Sequence, residues 1–124
     1  MHQQIRTVPA KSPADLAELL RVLKDRGVNL VAAGGGDVEK GGEFAFAVAH
    51  GEEADAIKAL EDEGYKPRLV EVEHEVIDNR PGELHRFVAR IAQQNRRRGY
   101  VIKDVSVGVP DSSGIPVQVY SEPA

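Results

Sequence analysis

The chain repeats part of itself. "VPAKSPADLAELLRVL", beginning at Val8, sets without a gap over "VIDNRPGELHRFVARI", beginning at Val76. Pro13 meets Pro81, Leu16 meets Leu84, Leu19 meets Phe87, Leu20 meets Val88, and Leu23 meets Ile91. Amphipathic helices share a period, so apolar matches alone carry little weight. A proline at the same place, after a strand-like run in both copies, adds more. A chain of 124 residues is one ordinary domain or two very small ones, and the repeat points to two related halves.

The segments around the repeat read as a definite element order. Ile5 to Val8 alternates as a short strand. "KSPADLAELLRVLKDRGV" reads as a helix with Ser12 as N-cap, Pro13 at the first helical position, Asp15 two further on and Gly27 as the stop. "VNLVAAG" is a strand, "GGGDVEKGG" a turn region and "EFAFAVAHG" the returning strand, with Phe44, Phe46 and Val48 on one parity. "EEADAIKALEDEGY" forms a second helix, Ile57 and Leu60 facing inward. "KPRLVEVEHEVID" is a long strand with Val70, Val72 and Val76 on one side and Leu69 on the other, so both faces are expected to be partly covered at different points. After the second repeat helix, "YVIKDVSVGV" and "IPVQVYSE" are strands joined by "PDSSG". The order β-α-β-β-α-β, then a shorter β-α-β-β that shares or abuts the long strand, is the split βαβ, ferredoxin-like pattern. It predicts an α+β fold with helices on one face of an antiparallel sheet.

Composition narrows the function. Apolar residues make up 41% and charged residues 29% of the chain, within the range of soluble globular proteins. A formal charge of −4 gives no general reason to expect nucleic acid or an anionic membrane. The absence of cysteine excludes disulfides, thiolate catalysis and zinc–thiolate sites. "MHQQIRTVPAKS" has no apolar signal core and no stretch is long enough to span a bilayer, so a cytoplasmic protein is expected.

One motif stands out. In "DNRPGELHRF" a proline suits a first helical turn, but Gly82 lowers helix propensity by about 1 kcal/mol relative to alanine. "NRPGEL" after "VEHEVID" resembles the first strand, loop and helix start of the ACT domain family, small βαββαβ modules that bind amino acids and regulate enzymes or transcription. "KSPADL" with "RGVNL", and "AIKALEDEGYKP", are similar to further parts of that fold. The resemblance implies a first ACT-like module over residues 1–72 and a second, incomplete one over 73–124, lacking its last helix and strand.

The resemblance also implies a site. In ACT domains with an Asn-Arg-Pro-Gly loop the asparagine contacts the bound amino acid, which places Asn79 in that role. A helix N-terminus offers unpaired N–H groups and partial positive charge. The amides of Gly82, Glu83 and Leu84 would therefore take the ligand carboxylate, with Gly82 leaving the backbone open and Asp78 accepting from an ammonium group. Gly34 and Gly35 are secondary candidates. In the first copy Ala14 and Lys11 stand where Gly82 and Asn79 stand in the second, and that site reads as degenerate.

The implied protein is regulatory and non-catalytic. Its ligand is an amino acid or similar small carboxylate, and its further partners are a second copy of itself and a regulated metabolic enzyme. A ligand-free interaction module is the alternative. No cofactor is expected.

Other motifs carry less. Glycines 34–36 lead into a strand rather than a helix, which speaks for a bulge or hairpin and against a phosphate cradle. His2, His50, His74 and His85 show no metal-ligand spacing. "NRRRG" fits cations at a helix C-terminus better than a nucleic-acid contact, and the strands lack paired exposed aromatics for base stacking. The carboxylates of "EHE" and "EDE", and Ser106, Ser112, Ser113 and Ser121, form no nucleophile–base–orienter set.

Overall fold

The computed structural model describes residues 2–9, 16–35 and 41–124. The order is β1 (His2–Thr7), α1 (Leu16–Asp25), β2 (Leu30–Gly35), β3 (Phe44–Val48), α2 (Glu53–Asp62), β4 (Arg68–Ile77), α3 (Glu83–Arg98), β5 (Tyr100–Val107) and β6 (Ile115–Pro123). Two compact units divide the chain, one of Gln3–Val70 and one of Glu71–Ala124 together with His2. Ser12, Pro13, Ala14, Asp15 and Lys11 lie outside the described residues, as does Gly36.

In the Gln3–Val70 unit, β3 pairs antiparallel with β1 on one side and β2 on the other. Ile5 of β1 faces Phe46, and Thr7 faces Phe44. Directly opposed residues share a sheet face, so these side chains point to one core. Leu19, Val22 and Leu23 of α1 and Ala56, Ala59 and Leu60 of α2 fill that core from above. Alanines at 56 and 59 let α2 lie close, while Ile57 packs at the margin. Within α1 the buried stripe is Leu19, Val22 and Leu23; Leu20 is exposed, because a two-layer fold buries only one side of a helix.

Two strand expectations change. Phe44, Phe46 and Val48 are buried, but so are Ala45 and Ala47 of the opposite parity, so β3 is covered on both sides. β2 runs through Gly34 and Gly35, which pair with Ala45 and Phe44; the irregularity of that strand falls between Leu30 and Ala32 instead of at the glycines. Neighbouring β3 supplies regular partners there, and backbone pairing needs no side chain.

In the Glu71–Ala124 unit β6 lies between β4 and β5, again antiparallel. Phe87 and Ile91 of α3 pack on Ile77, Val117 and Val119, with Ile102 and Ile115 alongside. β4 is covered on both parities at different points, as expected: Val72 is buried on one and Ile77 on the other. Ile77 is buried and Val76 is 46% exposed, because register places Ile77 opposite Ile115 on the side that α3 covers.

The repeat is visible as matched burial. Leu19 and Phe87 are both core residues, as are Leu23 and Ile91. The helix ends also obey local chemistry: Gly99, with φ 71°, caps α3 and donates its N–H to the Asn95 carbonyl, while Arg96, Arg97 and Arg98 occupy the last turn.

Candidate functional site

The loop from Asp78 to Gly82 joins the end of β4 to the start of α3. Its amides are used in a fixed order. Arg80 N–H donates to the Asp78 carbonyl at 2.9 Å, Glu83 N–H to the Arg80 carbonyl at 3.3 Å, and Arg86 N–H to the Gly82 carbonyl at 3.0 Å. The last is the first turn of the helix closing. Leu84 and His85, inside that first turn, have no backbone acceptor among the described residues, which leaves their N–H groups and the positive end of the dipole outward.

Gly82 has a backbone reason for being glycine. It is the N-cap, with φ 88° and ψ −11°, and Pro81 precedes it outside the helix. Helical φ/ψ begins only at Glu83, so neither Pro81 nor Gly82 occupies the helical positions expected for them. A Cβ at residue 82 would meet nothing within 4 Å. The constraint is the left-handed backbone, which costs a side-chain-bearing residue about 1–2 kcal/mol.

Charged side chains surround the loop. Arg80 Nη2 lies 2.8 Å from Asp78 Oδ2, both exposed, and 3.7 Å from Glu83 Oε1. Arg86 lies 3.6 Å from the same Glu83 oxygen. Glu83 is thus held between two guanidinium groups, and Asp78 is engaged by Arg80. Asn79 is exposed and makes no hydrogen bond among the described residues. Arg80 was absent from the sequence-derived set. Its place inside "NRPG" was a usable signal, because an arginine two residues from an aspartate presents both charges that a zwitterion would meet.

The loop brings Asp78, Asn79, Gly82, Glu83 and Leu84 together, with the Glu83 amide already committed to Arg80. Gly34 and Gly35 belong to the other unit, in exposed β2. A Cβ at Gly34 would meet nothing within 4 Å, so neither space nor a close approach explains a glycine at 34.

The remaining candidates resolve into local structure. Ser113 donates its N–H and hydroxyl to Asp111 Oδ1 at 2.8 and 2.6 Å in the β5–β6 turn, and these bonds hold the Asp111 carboxyl below its usual range. Ser121 Oγ accepts from buried Asn95 at 2.8 Å. Arg98 donates to the other side of the Asn95 carboxamide and lies over the Tyr100 ring, its carbon 4.1 Å from the centroid. A buried asparagine inside "NRRRG" carries no periodic signal and was not foreseen. The His2 and His74 rings lie against each other, tilted by 35°, with centroids 3.9 Å apart. Among the described residues no group of three or more His, Cys, Asp or Glu could hold a metal ion. Nor is any helix among them long and apolar enough to cross a membrane.

Element order, antiparallel pairing and helix placement define an ACT-like fold. The chain is similar to protein BT0572 from Bacteroides thetaiotaomicron at 22% identity and a TM-score of 0.68, over 97% of this chain and 78% of that one. It is similar to the regulatory subunit of aspartate kinase from Thermus flavus at 20% identity and a TM-score of 0.61, over 98% and 82% respectively. The ligand-free regulatory subunit from Thermus thermophilus aligns at 20% identity and a TM-score of 0.58, over 95% and 80%. No protein-family model matches the chain, and no curated protein does.

Proposed function

We propose that the chain is a cytoplasmic regulatory protein without catalysis of its own, working as a homodimer and sensing an amino acid or similar small carboxylate at Asp78–Leu84. The observation that carries this reading is the loop's chemistry. Outward amides of Leu84 and His85 at a helix N-terminus suit a carboxylate, and the adjoining Asp78–Arg80 pair offers an anion for an ammonium group and a cation for a second carboxylate oxygen. Asn79, exposed beside them, adds a hydrogen-bonding amide. Two of the similar folds come from regulatory subunits of an amino-acid-metabolising kinase, which fits the same role.

Binding would replace the Asp78–Arg80 contact with contacts to ligand. It would regulate a partner enzyme to the extent that the ligand prefers one arrangement of the protein over another.

Thermal-shift measurements against the common amino acids test the reading. One or a few of them should raise the melting temperature, and Arg80→Ala or Asn79→Ala should weaken that binding at least about tenfold, since each removes a hydrogen bond worth about 1.5 kcal/mol to a charged group. Absence of any shift across the set would overturn sensing and leave the ligand-free interaction module.

A further inference from the structure

We draw no further inference here: the strongest candidate, the exposed apolar strip of Val105 and Val107 on β5 beside α3, carries nothing, because nothing in the structure shows what covers it.

Discussion

Gly114 packs so closely beneath the end of β4 that a Cβ on it would run into the carbonyl oxygen of Ile77. Its φ of 125° adds a second bar to any side chain. Gly82 shares only the second bar, since the space around it is open. Gly114→Ala should therefore cost about 3 kcal/mol or more in denaturant unfolding, because backbone must move. Gly82→Ala should cost about 1–2 kcal/mol. Equal losses would mean that the contact with Ile77 does not constrain residue 114.

Asn95 ties the end of α3 to β6. Its carboxamide donates to Ser121 and accepts from Arg98, inside an otherwise apolar packing face. Asn95→Ala should destabilise by about 1–3 kcal/mol, the cost of a part-buried hydroxyl and a guanidinium losing their partner. Ser121→Ala leaves the carboxamide bonded to Arg98 and should cost less. Urea midpoints of the two variants, with unchanged slopes, decide the order.

Glu43 sits between Arg6, 2.7 Å away, and Arg68, 3.0 Å away. Burial pushes its carboxyl upward, but hydrogen bonds from Arg68 and then Arg6 outweigh it and hold the group below its ordinary value of 4.5. A depressed carboxyl contributes stability above its unfolded pKa and loses it as pH falls through the folded one. Between about pH 6 and about pH 3 the unaltered protein should lose more stability than Glu43→Gln, as read by chemical denaturation at each pH. Parallel curves would show that the carboxylate contributes nothing.

His74 behaves with the same sign for another reason. Burial and then the charge of neighbouring His2 push its imidazole below the ordinary 6.5. The folded state thus prefers the neutral ring, and stability present above about pH 6.5 declines as the medium becomes acid. His74→Gln should flatten that decline, and a proton NMR titration should place the His74 midpoint below that of a free histidine. A midpoint at or above the free value contradicts the burial of His74 beside His2.

Much of the fold was legible because repetition and period survive in one dimension. Among the described residues the elements follow the expected order, and Leu19, Leu23, Phe87 and Ile91 are buried where helical spacing puts them. The errors cluster where partners decide. Val76 and Ile77 are adjacent apolar residues in one strand, and only pairing with β6 determines which is covered. The candidate loop was recognisable in "DNRPGEL", yet the reason for its glycine was not, since φ at residue 82 depends on how the chain leaves β4 and enters α3.

The amino-acid sequence by itself determined the element order, the helix stop at Gly27, and the loop that joins β4 to α3. Each of these follows from local spacing or from a residue's own backbone preference. Tertiary structure alone decided that the Glu83 amide is taken, that Asn95 is buried, and that Val105 and Val107 stay open beside a single helix. Those outcomes depend on which surfaces meet, and burial belongs to the pair of surfaces rather than to either stretch of chain.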